Sequence, residues 1–67
     1  MLDVDLEPEA DGRWLAEVPS LPGVLAYGST RAEAYAKATA LAFRVIADRI
    51  ECGEPVPAEA RSLFAAA

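Results

Sequence analysis

The segment that decides the fold runs from Trp14 to Val24 and reads WLAEVPSLPGV. Its first five residues belong to a predicted β-strand over residues 13–18, in which Trp14, Ala16 and Val18 share one face. The opposite face of this strand carries Arg13, Leu15 and Glu17. The strand therefore has one apolar face and one mixed face.

A corner defined by two prolines and a glycine ends this strand. Pro19 and Pro22 fix φ and lack a backbone N–H donor. Pro22-Gly23 suits the centre of a type II turn, where glycine supplies a positive φ. We expect Leu21 to tuck under the sheet edge. The alternative, a recognition loop, is less favoured because turn chemistry accounts for every residue type in the corner.

Two further strands flank this segment. Residues 2–7 alternate strictly, with apolar residues on one face, which predicts a half-buried strand. The other face carries Asp3, Asp5 and Glu7. Asp11-Gly12 is a hairpin signal, so residues 13–18 should pair antiparallel with the first strand. Residues 24–28 form the third predicted strand, in which Leu25 and Tyr27 share a face.

One long helix follows the strands. Thr30 is its predicted N-cap, and Glu33 completes a T-x-x-E capping box. The helix should run to about Cys52, with Gly53 as its C-terminal stop. Residues 61–65 fit either a fourth strand or a short helix, because alanines favour helix whereas Leu63 and Phe64 beside a sheet edge favour strand.

The predicted helix is apolar around more of its circumference than packing on one sheet requires. One face carries Ala34, Ala38, Leu41, Ala42 and Val45. A second surface is assigned to Ala32, Ala36, Phe43, Ile46 and Ile50. We expect this second surface, together with Leu25 and Tyr27 of the sheet, to contact another chain.

Composition narrows the available chemistry. The chain has 67 residues, which we interpret as one domain spanning 1–67, with a net charge of −5, one cysteine and no histidine. Nucleophile–base pairs lack their histidine, and a zinc cluster lacks its ligands. Direct binding to nucleic acid is disfavoured because the phosphates need a basic surface. We therefore expect no enzymatic activity, no cofactor and no metal, and a partner chain as the source of extra burial.

The acidic face formed by Asp3, Asp5 and Glu7, which Glu17 of the next strand could adjoin, has three interpretations. It is a solvated outer face, a surface for a basic partner, or a magnesium site for phosphoryl chemistry. The metal site is the least favoured, because ligands at i, i+2 and i+4 of a strand spread over about 13 Å.

Location and source are also suggested by the sequence. The acidic start is unlike a signal peptide, no apolar run approaches a membrane span, and a lone thiol fits a reducing compartment. We expect a cytoplasmic protein. The absence of asparagine and glutamine fits a thermophile, and a GC-rich genome would give a similar bias.

Two sequence blocks carry a family resemblance. The run from Asp11 to Gly23, DGRWLAEVPSLPG, and the run from Tyr27 to Ala34, YGSTRAEA, closely resemble the HicB antitoxin family. The residues that carry the motif are Trp14, Pro19, Leu21, Pro22, Gly23, Thr30 and Glu33. The resemblance covers roughly residues 2–58, and the two blocks together are more specific than either alone.

The resemblance implies an α+β fold with the order β-β-β-α-β. In it an antiparallel three-stranded sheet packs on one long helix, and a short C-terminal strand lies near residues 61–65, as in a partial ribonuclease-H-like fold. It also implies a non-enzymatic protein that forms dimers or tetramers and neutralises a small basic mRNA-cleaving toxin, similar to HicA, by binding it. Many members carry a C-terminal DNA-binding module, which this sequence lacks up to Ala67, so the resemblance is to a short form. The alternative function is a solitary homo-oligomeric structural or regulatory module without a cognate toxin.

Overall fold

A three-stranded antiparallel sheet packs against one long helix in the computed structural model, which describes residues 1–66. Strands β1 (Asp5–Pro8), β2 (Trp14–Glu17) and β3 (Leu25–Gly28) lie in the order β1-β2-β3. Helix α1 spans Arg31–Glu51, and a short helix α2 spans Ala58–Arg61. The predicted α+β class and the β-β-β-α order are confirmed.

The sheet register separates two faces. Leu6, Ala16 and Ala26 are aligned across the three strands, and they face α1. Strand alternation places the next rows on the opposite face, which neither helix covers. We call this the open sheet face; it is formed by Asp5, Glu7, Leu15, Glu17, Leu25 and Tyr27.

The proline-rich corner is folded as its sequence predicts. The amide of Val24 donates to the carbonyl of Leu21 at 3.0 Å, and Gly23 has a φ of 88°. The side chain of Leu21 is completely buried and packs with Val18 in the larger core cluster. The corner between β2 and β3 therefore has a structural role, because it places the Leu21 side chain in the core.

Helix α1 has both predicted caps. The amide of Glu33 donates to Thr30 Oγ1 at 3.0 Å, and Glu33 Oε1 accepts from the amide of Ser29 at 3.1 Å. At the other end Gly53 has a φ of 73°, and the amide of Glu54 donates to the carbonyl of Arg49 at 2.8 Å. This glycine-terminated C-cap satisfies the last helix carbonyls.

The buried row of α1 corrects one prediction. It consists of Ala34, Ala38, Ala42 and Ile46. Ile46 is only 7% exposed and lies in the core cluster with Val18 and Leu21, so its assignment to the second surface was wrong. The reason is geometric, since Ile46 follows Ala42 by four residues and side chains four apart stack on one helix face.

The C-terminal segment corrects a second prediction. Residues 58–61 form α2 after Pro57, and no strand is formed between residues 61 and 66. The amides of Ala60 and Arg61 both donate to the carbonyl of Pro57, and Ala60 is buried in the larger core cluster. A helical turn places this alanine in the core, so the predicted short strand does not form in this part of the chain.

The molecule is elongated, because α1 is longer than the sheet that it covers. The radius of gyration is 13.2 Å, whereas a compact domain of this length would have about 11 Å. The accessible surface is 4701 Å², which exceeds the value for a folded monomer of this size by roughly 600 Å². The excess follows from this elongated shape.

Candidate functional site

The open sheet face combines an apolar centre with carboxylates. Leu15 and Tyr27 are register partners, and Leu25 lies beside them on the same strand as Tyr27. Leu25 and Tyr27 are both exposed, so this apolar centre faces outward. Two exposed large residues beside the half-buried Leu15 form an apolar patch that is typical of an interaction surface on a small domain.

Carboxylates surround this apolar centre on the β1 side. Asp5 and Glu17 are register partners, and Glu7 lies opposite Leu15. Asp3 precedes β1 and is exposed, while its neighbours Leu2 and Val4 pack against the core. Asp3 therefore extends the same acidic edge. Asp3, Asp5 and Glu7 were predicted from the sequence as an acidic surface for a basic partner. They lie on one face, together with Glu17.

Asp5 and Glu17 form an unfavourable cross-strand pair. Like charges that lie directly opposite each other in a sheet are destabilising. Within residues 1–66 the only ion pairs are Arg13–Asp11 and Lys37–Glu33, so neither carboxylate is matched by a base. A basic group from outside the domain would remove this repulsion.

Among residues 1–66, Arg13 is the one side-chain cation on this face, and it is already engaged. The Arg13 guanidinium lies 4.4 Å from the centroid of the Tyr27 ring, and its Nε donates to Asp11 Oδ2 at 2.7 Å. The hydrogen bonds from the Arg13 amide and side chain hold the pKa of Asp11 below its usual range. Arg13 thus fixes the Tyr27 ring while its charge is balanced by Asp11.

A shallow cleft of about 240 Å³ lies beside this arrangement, at the start of α1. Its cations are paired, since Lys37 Nζ lies 3.3 Å from Glu33 Oε1 and Arg13 is bound to Asp11. The Ser29 amide, and then Lys37, hold the pKa of Glu33 below its usual range. The cleft is smaller than ordinary small-molecule pockets, and its charged groups serve the helix cap and the hairpin.

The predicted interface residues fall on two separate surfaces. Leu25 and Tyr27 lie on the open sheet face, whereas Ala36, Phe43 and Ile50 are exposed on α1, on the side away from the sheet. Leu15 was not among the predicted site residues, although strand alternation with Trp14 and Ala16 placed it on that face. Glu17, considered from the sequence only as a neighbour of the acidic face, is the register partner of Asp5. Ala40 and Ala47 were also missed, although their spacing from Ala36 and Phe43 marks them as members of one helix face.

The described residues also bear on metal binding and on membranes. Residues 1–66 contain no group of three or more acidic, thiol or imidazole side chains arranged to hold a metal ion. Neither α1 nor α2 combines the length and apolar character needed to cross a bilayer.

Comparison with protein-family models, with curated proteins and with solved structures finds no match to this chain.

Proposed function

We propose that this chain is a non-enzymatic binding module for a small basic protein and that the open sheet face is its binding surface. The observation that carries the proposal is the cross-strand pair of Asp5 and Glu17, two carboxylates that face each other without a base. Departures from local rules of this kind concentrate at functional sites. A lysine or arginine of the partner would lie between the two carboxylates.

The rest of the face supports the same partner chemistry. Apolar groups of the partner would pack on Leu15, Leu25 and Tyr27, and this contact would supply most of the affinity. The surrounding carboxylates would accelerate association with a positively charged protein and select against acidic ones. The net charge of −5 adds to this field.

The family resemblance makes the proposal more specific. The blocks DGRWLAEVPSLPG and YGSTRAEA resemble HicB antitoxins, so the proposed partner is a small basic mRNA-cleaving toxin similar to HicA. Neutralisation would follow from covering the basic surface of the toxin, without chemistry on the part of this chain. The proposed location is the cytoplasm, where such a toxin would act.

The test is capture from a lysate of the source organism by three tagged forms of the chain. Wild type should retain a small basic protein in stoichiometric amount, and adding the chain should inhibit mRNA cleavage by that protein. The double variant Asp5→Lys/Glu17→Lys should no longer retain the basic protein. Glu51→Lys on α1 is the matched control for charge reversal away from the sheet, and this variant should still retain the basic protein.

Three outcomes would overturn the proposal. They are the absence of a stoichiometric basic protein, undiminished mRNA cleavage in the presence of the chain, and equal capture by the wild type and the double variant. The strength of capture by wild type should also fall as salt concentration rises, because salt screens exposed charges beyond about 10 Å at 0.1 M.

A second candidate function is a self-assembling structural or regulatory module that has no basic partner. The observation that favours it is the row of exposed apolar residues on the outer side of α1. The open sheet face plays no part in this function, so Asp5→Lys/Glu17→Lys would leave assembly intact.

A further inference from the structure

The outer side of α1 carries an apolar stripe that no other part of residues 1–66 covers. The members of this outer stripe are Ala36, Ala40, Phe43, Ala47 and Ile50, and all five are exposed. Phe43 is 64% exposed and Ile50 is 57% exposed. Intervals of three and four residues place the five side chains on one helix face. At 100° per residue, the centre of that face lies about 140° around the helix from the centre of the buried row of Ala34, Ala38, Ala42 and Ile46.

We propose that the outer stripe binds the same stripe of a second copy of this chain, with the two α1 helices antiparallel and a two-fold axis near Phe43. This proposal deepens the second candidate function and does not depend on the basic partner. A two-fold interface must be complementary to itself, so each residue contacts a counterpart that contacts it in return. The spacing of the outer stripe meets this requirement.

The outer stripe is nearly symmetric in spacing about Phe43. Ala36 and Ile50 each lie seven residues from Phe43, in opposite directions. An antiparallel alignment therefore places Ile50 of one copy over Ala36 of the other, twice in the interface. Ala40 and Ala47, three and four residues from Phe43, would face each other at nearly the same height. A large side chain over a small one is the arrangement that interdigitates best.

The alanines also determine how closely the helices approach. Interaxial distances between packed helices are about 8–10 Å and depend on the size of the side chains at the contact. Ala36 and Ala40 precede Phe43 in the outer stripe, and Ala47 and Ile50 follow it, so the Phe43 ring is the one bulky group near the axis. The two Phe43 rings would meet there and stack with an offset.

Five of the seven charged residues of α1 lie along one flank of the outer stripe, and the other two, Arg31 and Arg49, lie towards the buried row. The five are Glu33, Lys37, Arg44, Asp48 and Glu51. A two-fold axis perpendicular to the helices brings the same flank of both copies together. Lys37 of one copy then lies about 3 Å along the axis from Glu51 of the other, at 1.5 Å per residue. Arg44 of one copy approaches Arg44 of the other, which is a repulsive contact. Asp48, one turn along the same helix, offsets that repulsion.

The exposed area of the whole chain, 4701 Å², is large enough for a small dimer interface. The smallest specific interfaces bury about 600 Å² on each partner. The outer stripe contains no charged residue, so it suits a second copy better than the basic partner proposed for the sheet. In the dimer both open sheet faces would point outward, which leaves two separate sites for that partner.

The first test is sedimentation velocity on three forms of the full chain over a concentration series. Wild type should sediment as a dimer, and Phe43→Glu should sediment as a monomer with an unchanged circular dichroism spectrum. Tyr35→Glu is the matched control, because Tyr35 is also an exposed aromatic residue of α1 but lies outside the outer stripe. It should remain dimeric. A wild type that is monomeric throughout the series, or equal behaviour of the two variants, overturns the proposal.

The second test determines the orientation of the helices by disulfide cross-linking. In a Cys52→Ser background, Ala36→Cys alone should not cross-link to itself, since the two thiols would lie about 21 Å apart along the axis. A mixture of Ala36→Cys and Ile50→Cys chains should cross-link readily. Self-cross-linking of Ala36→Cys would overturn the antiparallel arrangement. Phe43→Glu should still capture the basic protein, so failure of the dimer and failure of the proposed binding function are separable.

Discussion

Gly28, the last residue of β3, packs directly against the backbone of Ala34 in the first turn of α1. A Cβ atom added at Gly28 would lie 2.9 Å from the Cα atom of Ala34, and closer still to its amide nitrogen. Real Cβ atoms do not approach backbone atoms so closely. The absence of a side chain at Gly28 therefore sets the distance between the sheet and the helix.

Gly28→Ala should lower the free energy of unfolding by about 1–3 kcal/mol, the range for inserting a methyl group into a packed site. The obstacle is helix backbone and not a flexible side chain, so α1 must shift to make room. Urea unfolding followed by circular dichroism measures the loss. The neighbouring exposed substitution Ser29→Ala is the control and should change stability by less than about 0.5 kcal/mol. Equal stability of the two variants would contradict the packing argument.

Leu21 provides a test of the corner as a structural element. Its side chain is fully buried although it lies outside any helix or strand. Leu21→Ala should cost about 2–5 kcal/mol, as for other buried leucines. Pro22→Ala, an exposed change in the same corner, should cost far less. If Leu21→Ala instead unfolded at the wild-type urea midpoint but lost partner capture, the corner would be a recognition loop.

Much of the fold was predictable because it depends on local signals. Thr30, Glu33 and Gly53 mark the ends of α1 through backbone hydrogen bonds within a few residues, and Pro22-Gly23 specifies its turn in the same way. Ile46 was misassigned although its spacing of four residues from Ala42 places it on the buried helix face. The C-terminal segment, for which the resemblance implied a strand, was mispredicted because its position depends on distant contacts. Ala60 is buried by the core built from Val18, the corner and α1, and no local pattern near residue 60 contains that information.

The candidate surfaces were predictable only in part for a related reason. Alternation identified Asp5 and Glu7 as outward-facing, but the repulsive pairing of Asp5 with Glu17 depends on the hairpin register, which only the structure supplies. A shift of the register by one residue would change the partner of every side chain. Likewise, Leu25 and Phe43 were grouped as one interface, whereas the sheet and α1 separate them onto opposite sides.

Trp14 tests the smaller core cluster. Its indole is half-buried and packs against the buried alanine cluster of Ala16, Ala34 and Ala38. Trp14→Ala should therefore cost about 2–3 kcal/mol, less than the ~3–5 kcal/mol of a fully buried tryptophan or phenylalanine. Trp14→Phe keeps most of the contact and should recover most of this loss. Urea unfolding followed by circular dichroism is suitable because it does not depend on indole fluorescence. A cost below about 1 kcal/mol for Trp14→Ala would mean that the contact between the indole and the alanine cluster does not stabilise the fold.

The N-cap of α1 should respond to acid through Glu33. Its pKa is lowered in the folded state from an ordinary value of 4.5, first by the Ser29 amide and then by Lys37. A lowered pKa stabilises the fold above the ordinary value, and that stabilisation is lost as pH falls through the lower, folded-state pKa. Glu33→Gln should therefore be less stable than wild type at neutral pH, and its stability should decline less steeply below pH 4.5.

Lys37→Met separates the two causes of this shift. It removes the ion pair but leaves the hydrogen bond from the Ser29 amide, which is the larger cause. Thermal unfolding midpoints measured from neutral pH to pH 3 should show an acid-dependent loss in Lys37→Met that is closer to wild type than to Glu33→Gln. The reverse order would mean that Lys37, and not the capping hydrogen bond, is the larger cause of the lowered pKa of Glu33. Added salt distinguishes the same two causes, because it screens the exposed Lys37–Glu33 pair and leaves a short hydrogen bond to the backbone almost unchanged.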